Sequence, residues 1–440
     1  MTGMEVGLLS VILILVLIYS GMYVPVALGL VSFFSVWYLR EGIEAPIYLL
    51  TIAASSGLED YIYGVIPLFV LMGLLVSQCE LGRDIYEVSN YVLRKVKGGL
   101  GVATVAANTA FAAITGVSIA SASVFARVSV PEMLRFGYNK RFAVGVVAGS
   151  SVLGMLIPPS VMLIIYAIIT ELSVADMFKA GIMPGLILAA AYIIAIVSMA
   201  VFFPNYIGGQ DKESQDFADS QGDLSGAEIV RKIAPFVVLI MLVLGGIYGG
   251  LFTPTEAGAV GAFGALVIAM IKRKLNRKVL WTVLGETGHI VASLLLLIVS
   301  ATMYSRMLAI SGLPNELGTW IAATELSLAG ILTIYVIVLI IMGTILDTTS
   351  IILIMVPLFL PVMMPYDISL IWFGIITIFG AEIGLLTPPL GISCYVIKTT
   401  LNDPRISLFD IFAGAFPFAL IMLAILILLI VFPGISLVFI

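Results

Sequence analysis

The sequence predicts an all-α polytopic membrane protein. Hydrophobic residues make up 61% of the 440 positions and charged residues only 11%, and the mean hydropathy is +1.19. Many nearly uncharged runs reach the 18 or more residues that allow a helix to cross a bilayer. A soluble chain of this composition would expose too much apolar surface, and its net charge of -5 gives no indication of nucleic acid binding.

Two segments recur about 230 residues apart, which predicts an internal duplication. Ile18-Tyr-Ser-Gly-Met-Tyr-Val-Pro25 matches Ile247-Tyr-Gly-Gly-Leu-Phe-Thr-Pro254, and Gly154-Met-Leu-Ile-Pro-Pro159 matches Gly384-Leu-Leu-Thr-Pro-Pro389. We therefore predict two repeats, 1–203 and 233–440, joined by a polar cytoplasmic linker over 204–232. Such repeats are common in secondary transporters.

Lysine and arginine residues orient the two halves, because cytoplasmic loops carry an excess of them. Basic clusters flank the segment 98–135 on both sides, so both of its ends face the cytoplasm and we predict a re-entrant helical hairpin. Two short full spans are the alternative. No lysine or arginine lies between Leu313 and Leu370, so a second hairpin over about 328–366 should enter from the periplasm. The halves are then inverted repeats, with about ten transmembrane helices and two hairpins in total.

Each double proline interrupts an apolar run, predicting broken helices over 142–170 and 371–398. A break at membrane depth is tolerated only where it is buried in protein or lines a cavity. Freed carbonyls and helix C-termini attract a bare cation, whereas helix N-termini and hydroxyls attract a carboxylate. We therefore predict that two hairpin tips and two breaks meet near the midplane to transfer an anion together with a cation.

Three motifs carry a family resemblance: Gly149-Ser-Ser-Val-Leu-Gly-Met-Leu-Ile-Pro-Pro-Ser160, Ser173-Val-Ala-Asp-Met-Phe-Lys-Ala-Gly-Ile-Met-Pro-Gly185 and Glu382-Ile-Gly-Leu-Leu-Thr-Pro-Pro-Leu-Gly391. They resemble the large membrane subunit of tripartite ATP-independent periplasmic (TRAP) transporters, over about residues 4 to 433. Many relatives have a polar residue such as asparagine where this chain has Gly380, so only a carbonyl ligand is expected there.

The resemblance implies an elevator-type fold similar to that of other ion-coupled transporters, in the inner membrane of a bacterium. It further implies sodium-coupled uptake of an organic acid such as a dicarboxylate or a sialic acid, with sodium ions bound in the protein. The implied partners are a small membrane subunit, a periplasmic substrate-binding protein and membrane lipid.

Small and hydroxyl-bearing residues at the tips and breaks are the candidate sodium ligands, although such residues also let membrane helices pack closely. Asp347 favours the cation-bound interpretation, because an unpaired carboxylate in an apolar hairpin is costly. The first candidate site comprises Thr115, Gly116, Ser118, Ser121, Gly149, Ser150 and Gly154. The second comprises Gly343, Asp347, Thr348, Thr349, Gly380, Gly384 and Thr387.

Arg127 and Arg306 are candidate partners for a substrate carboxylate, since a guanidinium can hold it with two parallel hydrogen bonds. Alternatively, Arg306 could extend to the interface and Arg127 could dock its hairpin. Glu382 could also pair with a cation or stabilise the scaffold. The candidate substrate-binding residues are Ser123, Arg127, Pro158, Ser160, Arg306, Ser350, Glu382 and Pro388.

Two other functional classes remain open. A channel is the nearer alternative, because hairpins also build pores. An intramembrane enzyme is remote, since the sequence has no His-Glu-x-x-His motif, no paired aspartates on neighbouring spans and no Gly-x-Ser-x-Gly elbow. We expect no catalytic residues.

Overall fold

A computed structural model describes residues 1–59, 61–208, 224–324 and 326–440. Within these ranges the chain is helical, and its only bridge between extended residues joins Tyr138 and Gly208. Most of the predicted linker, 209–223, lies outside the described residues.

The helices of the first half, apart from the hairpin and the broken helix, are Gly3–Tyr19, Val24–Arg40, Glu44–Glu59, Val65–Gln78, Leu81–Leu93, Val174–Phe202 and Pro204–Ile207, with a 3-10 turn at Tyr61–Gly64. Those of the second half are Gly226–Tyr248, Pro254–Ile271, Arg277–Ser311, Leu313–Ala323, Leu408–Val431 and Gly434–Leu437, with a 3-10 turn at Met364–Tyr366.

The first hairpin and the first broken helix are adjacent in the chain. Hairpin 1 consists of Gly99–Thr115 and Ser118–Arg135, joined by a tip at 116–117. Broken helix 1 begins with Lys140–Ser151 and Leu153–Leu156 and resumes, after the first double proline, as Val161–Ile169. Its two parts are bent by 41°.

The second half contains the corresponding pair. Hairpin 2 consists of Leu328–Gly343 and Thr348–Met363, with a tip at 344–347. Broken helix 2 consists of Leu370–Leu385 and Ile392–Leu401, with the second double proline between them. Both proline–proline peptide bonds are cis.

Seven of the described helical segments are long and apolar enough to cross a membrane, or eight if broken helix 1 counts as one span. Gly3–Tyr19 and Val24–Arg40 are apolar but have only 17 residues each. Thr348–Tyr366, which the sequence assigns to a hairpin, is among the seven. The count of ten spans therefore stays a prediction.

Helix starts follow from capping chemistry. The Thr253 side chain accepts a hydrogen bond from the Glu256 N–H, while the Glu256 carboxylate accepts one from the Thr253 N–H. This reciprocal arrangement satisfies two amides that no helical carbonyl can reach. Ser225 and Ser407 begin their helices in the same way.

The hairpins and broken helices pack across the two halves of the sequence. Each hairpin contacts the broken helix of its own half, and the second arm of each contacts the last segment of the other broken helix. Ser123 thus approaches Thr400 at 3.2 Å, and the Thr349 hydroxyl lies 3.6 Å from the Met162 sulfur. We call these four elements, together with the helices Val174–Phe202 and Leu408–Val431 that pack on them, the central unit.

Ion pairs join segments that the charge pattern places at the cytoplasmic face. On helix Leu81–Leu93 and the residue before it, Glu80, Asp84 and Glu87 pair with Lys274, Lys272 and Lys232 respectively. Burial alone would raise the pKa of the Glu87 carboxyl, but hydrogen bonds from Lys232 and Arg83 outweigh it and lower that pKa.

A second group of ion pairs connects the start of broken helix 1 to the start of the terminal span. Asp410 accepts hydrogen bonds from Lys140 at 2.8 Å and from Arg141 at 2.9 Å. The Ser407 hydroxyl donates to the same carboxylate at 2.8 Å. With only 6% of its side chain exposed, Asp410 is a paired charge rather than an isolated one.

Candidate substrate and ion site

The tip of hairpin 1 closes directly onto the first helix break. The Val161 N–H donates to the Gly116 carbonyl at 3.2 Å. Gly116 has φ +63°, and a Cβ at this position would lie 2.4 Å from the Pro159 carbonyl oxygen. Any other residue would combine an unfavourable backbone conformation with a collision, so glycine permits this contact.

Hairpin 2 meets the second break in the same manner. The N–H groups of Leu390 and Gly391 point to the Thr344 carbonyl, at 3.1 and 3.4 Å. The backbones of Gly343, which precedes Thr344, and Gly384 touch, since a Cβ on Gly384 would lie 2.4 Å from the Gly343 Cα. Both halves thus use a tip carbonyl and glycine contacts to seat a hairpin on a double-proline break.

Around the first break, two buried hydroxyls have no hydrogen-bond partner in the part of the chain that the structure describes. These belong to Ser118 and Ser121, both completely buried. Thr115 and Ser150 instead donate to the carbonyls one turn before them in their own helices, at 3.0 and 2.7 Å.

The two other glycines of the first candidate site face different neighbours. A Cβ on Gly154 would lie 3.1 Å from the Val117 carbonyl, so Gly154 does face the tip of hairpin 1. A Cβ on Gly149 would lie 2.5 Å from the Phe418 side chain. Gly149 therefore packs on the terminal span, and the structure does not bring it to the tip.

Two carboxylates mark the second break. Asp347 caps helix Thr348–Met363, accepting hydrogen bonds from both the N–H and the hydroxyl of Ser350. The completely buried Glu382 accepts a hydrogen bond from the Thr348 hydroxyl at 2.7 Å. Its other oxygen, Oε2, has no partner among the described residues.

The remaining members of the second candidate site are oriented in several directions. Thr387 donates to the Ile383 carbonyl at 2.8 Å. Gly380 faces hairpin 2, where a Cβ would lie 2.9 Å from a Leu339 methyl group. Thr349 points to broken helix 1 through its contact with Met162.

The available ligand atoms suit a hard alkali cation. They are hydroxyl, carbonyl and carboxylate oxygens, the donor type that such ions prefer. The described residues contain no group of three histidine, cysteine, aspartate or glutamate side chains that could hold a metal. The buried oxygens of Ser118, Ser121 and Glu382 without partners fit ligands of sodium, because a buried oxygen left unpaired is costly.

The candidate substrate residues are not all brought together. Ser160 donates to the Met155 carbonyl at 2.5 Å and caps the helix that begins at Val161. Arg127 lies exposed on hairpin 1, and Arg306 lies half-buried on the long helix Arg277–Ser311. Neither arginine makes an ion pair within residues 1–59, 61–208, 224–324 and 326–440.

The two breaks differ in accessibility. Pro158 and Pro159 are buried, whereas Pro388 and Pro389 are exposed. The same difference separates two tyrosines in the segments that follow the breaks, since Tyr166 is 0% exposed and Tyr395 is 41% exposed. The second break is therefore open to its surroundings while the first is sealed within the protein.

One polar residue of the site escapes the sequence analysis. Asn108, on the first arm of hairpin 1, is completely buried and donates from its amide nitrogen to the Ser150 hydroxyl at 2.6 Å. Its carbonyl oxygen has no partner among the described residues. The one amide side chain within the mostly apolar run 99–115 is the signal that could have identified it.

Comparison with known proteins gives consistent matches along the chain. The family model described as "Tripartite ATP-independent periplasmic transporter, DctM component" matches residues 11–435. The chain is 33% identical to a C4-dicarboxylate TRAP transporter large permease protein of Pseudomonas aeruginosa, covering 86% of each chain. It is 31% identical to the protein of the same description in Rhodobacter capsulatus, covering 97% of this chain and 96% of the relative.

A longer relative and a solved structure add to these matches. The isethionate TRAP transporter permease protein of Oleidesulfovibrio alaskensis is 27% identical over 94% of this chain, which spans 64% of its length. The crystal structure of the Alcanivorax borkumensis YdaH transporter shares the fold, with a TM-score of 0.63, 13% identity and coverage of 90% of this chain and 89% of that one.

The matched family consists of transporter permeases rather than enzymes. Its match over nearly the whole chain agrees with the several apolar helices that are long enough to span a bilayer. The chain therefore belongs to the DctM family, the large permease component of TRAP transporters, and is a multi-pass protein of the bacterial inner membrane.

Proposed function

We propose that this protein performs sodium-coupled symport of an organic acid anion into the cell by an elevator movement of the central unit. One observation carries the proposal: at both helix breaks a hairpin tip is docked, and buried oxygens near the contact lack partners. Membrane proteins tolerate such atoms where an ion or substrate supplies the missing interaction.

The sodium ions would bind where each tip meets its break. Ser118 and Ser121 offer neutral hydroxyl oxygens at the first contact, whereas Asp347 and Glu382 offer carboxyl oxygens near the second. Sodium bound at both places would supply positive charge beside the half-helix ends. An anion would then bind more favourably with sodium present than without it, and this difference in affinity is the physical basis of coupling.

The anion would be held by helix N-termini and hydroxyls near the breaks. The segment that starts at Val161 has its N-terminus beside Ser160, which caps it, and Arg127 on hairpin 1 is a candidate cation. Relatives include permeases named for C4-dicarboxylates and for sialic acid, which supports an organic acid as the substrate class.

An elevator movement is supported by how the hairpins and broken helices interlock. The Ser123–Thr400 and Thr349–Met162 contacts tie together elements from both halves of the chain. Helix Val65–Gln78 borders this assembly at Gly73, where a Cβ would lie 2.9 Å from the Thr115 carbonyl. Small residues at such a border let the two backbones lie close together, so no large side chain would have to leave a pocket when the central unit moves.

The family implies two protein partners, a small membrane subunit and a periplasmic binding protein. The longer relative, whose permease name joins the M and Q components, supports the small subunit as a direct neighbour. Exposed apolar residues such as Phe34, Ile194 and Phe416 would face lipid or that subunit.

Transport in sealed vesicles tests the proposal. The chain is reconstituted with its small subunit, and uptake of a panel of radiolabelled organic acids is measured with the loaded binding protein outside. An inward sodium gradient should drive accumulation above the external concentration, and an equal potassium gradient should not. Concentrative uptake that survives collapse of the sodium gradient would rule out symport, and sodium-independent equilibration without accumulation would favour a channel.

A further inference from the structure

The two polar atoms of the Asn108 side chain differ in their hydrogen bonding. Its amide nitrogen donates to the Ser150 hydroxyl at 2.6 Å, whereas its carbonyl oxygen Oδ1 has no partner in the described part of the chain. The amide is planar, so fixing the nitrogen on Ser150 also fixes the direction of the oxygen. Asn108 thus presents an oriented, buried and unused carbonyl dipole.

Ser150 has little capacity left for a cation. Its hydroxyl proton is donated to the Val146 carbonyl at 2.7 Å, and one of its two acceptor positions is taken by Asn108. A single acceptor position remains. The stronger free ligand at this place is the Asn108 carbonyl, which carries a larger dipole than a hydroxyl.

Hairpin 1 carries other unused oxygens and contacts broken helix 1 at two places. Asn108 meets Ser150 at one of these places, and the tip meets Gly154, one turn further along, at the other. Ser118 and Ser121 occupy the first turn after the tip, and their hydroxyls are completely buried without partners. Three buried oxygens without partners therefore belong to hairpin 1.

We propose that Asn108 Oδ1 is a ligand of the sodium ion bound at hairpin 1, and that Ser150 is a positioning residue that orients the Asn108 amide rather than a ligand. This inference rests on the proposed sodium coupling and specifies which atoms of the first site act on the ion. A neutral carbonyl at this place also explains how the first site can bind sodium without a carboxylate among its candidate ligands.

Sodium titration of the reconstituted transporter tests the assignment. Asn108→Leu removes the carbonyl and should raise the sodium concentration for half-maximal uptake about tenfold or more. Asn108→Asp keeps the shape and an oxygen at the same place, and the Ser150 hydroxyl can rotate to donate to the other carboxylate oxygen, so this variant should hold that concentration within about threefold of wild type or lower it. Ser150→Ala should give an intermediate rise, because the amide remains but is less well oriented. For each variant, the half-saturating substrate concentration at saturating sodium should stay near its wild-type value.

Thr104→Val is the matched control. Thr104 lies one turn before Asn108 on the same arm, is equally buried, and donates only to the Leu100 carbonyl. It should leave the sodium dependence unchanged. Sodium-dependent thermal stabilisation of the detergent-purified complex provides a second readout, in which Asn108→Leu should require more sodium than wild type for the same shift.

Several outcomes would overturn the assignment. Asn108→Leu with unchanged sodium dependence would do so, as would an equal loss in Asn108→Leu and Asn108→Asp, which would indicate a purely structural amide. If Asn108→Leu does not fold, a tenfold weaker response to sodium in Asn108→Asp decides against the proposal. If uptake by the wild-type protein does not depend on sodium, the proposed function itself is wrong. If wild-type uptake depends on sodium and the Asn108 variants keep the same sodium dependence, only the assignment of Asn108 is wrong.

Discussion

The carbonyl oxygen of Gly116 accepts a hydrogen bond from the N–H of Val161 at 3.2 Å. This bond connects a hairpin tip to the second residue after a double proline. In the other half, the Thr344 carbonyl and the Leu390 N–H repeat it at 3.1 Å. Each helix break is thus bonded to the tip of the hairpin in its own half through a backbone carbonyl.

Gly384→Ala should disrupt the docking of hairpin 2. The new methyl group would lie 2.4 Å from the Gly343 Cα and 2.6 Å from the Ile340 carbonyl oxygen, so two backbones must separate. We expect a loss of stability on the order of 1–3 kcal/mol and little remaining uptake. Thermal unfolding and vesicle uptake provide the measurements. Gly330→Ala, on the same hairpin but with its nearest neighbour 3.5 Å away, should behave like wild type; equal behaviour of the two variants would contradict the packing argument.

Asp347→Asn should weaken sodium binding without removing the helix cap. Asparagine caps helices about as well as aspartate, so the hydrogen bond from the Ser350 N–H can be kept while the charge is lost. We expect the half-saturating sodium concentration to rise about tenfold, equivalent to ~1.4 kcal/mol. This concentration is measured by titrating uptake with sodium, and thermal unfolding checks that the variant is folded. An unchanged sodium dependence would exclude Asp347 from the second cation site.

The Glu87 carboxylate should make the stability of the folded protein decrease at acidic pH. Its pKa lies below its usual 4.5 because Lys232 and Arg83 stabilise the charged form against the cost of burial. A lowered pKa contributes stability above the unfolded value, and that contribution disappears as pH falls through the folded value. The unfolding temperature of wild type should therefore drop more between pH 7 and pH 4 than that of Glu87→Gln. Glu316→Gln, an exposed carboxyl with no ion pair among the described residues, should retain the full wild-type drop.

The inverted arrangement of the halves can be tested by labelling. Asp367 is exposed between hairpin 2 and broken helix 2, where the sequence predicts the periplasmic face. Asn402 is exposed beyond the other end of broken helix 2. In a background without native cysteines, Asp367→Cys should react with an impermeant thiol reagent added to intact cells with a permeabilised outer membrane. Asn402→Cys should react only in inverted vesicles, and labelling of Asp367→Cys from the cytoplasm alone would overturn the arrangement.

Tyr166 and Tyr395 should react differently when each is replaced by cysteine. Tyr166 is sealed, with its hydroxyl donating to the Leu370 carbonyl at 2.7 Å, whereas Tyr395 is 41% exposed. In the conformation described, Tyr395→Cys should label rapidly from the cytoplasmic side and Tyr166→Cys should not. Addition of sodium and substrate-loaded binding protein should slow the labelling of Tyr395→Cys, because the proposed elevator movement would shift the central unit. Equal labelling rates at both positions would contradict the difference in accessibility.

The places of the breaks could be predicted from the sequence because proline and glycine carry a direct backbone signal. The hairpin predicted from residue 98 begins at Gly99, and the helix predicted to end at 170 ends at Ile169. Which neighbouring helix each side chain contacts could not be predicted from the sequence. Broken helix 1 is buried on all sides from Phe142 to Ala167, so no polar face indicates which neighbour each residue meets.

Gly149 and Asn108 illustrate this limit in opposite ways. Gly149 belongs to the motif that carries the resemblance, but it packs on Phe418 rather than on the hairpin tip. Asn108 lies outside the motifs, but its amide contacts Ser150 across 42 positions of sequence. Side-chain pairing between distant segments depends on the packed arrangement, which composition and local spacing do not encode.

Asp410 binds the two halves of the chain together at one end, through Lys140 and Arg141 of the first half. Each half of the chain therefore supplies one side of this ion-pair cluster, and the two halves are joined here by charge as well as by the contacts between their hairpins and broken helices. Residues 1–208 and 224–440, expressed as two separate polypeptides, should therefore associate through these contacts, and their co-expression should restore uptake.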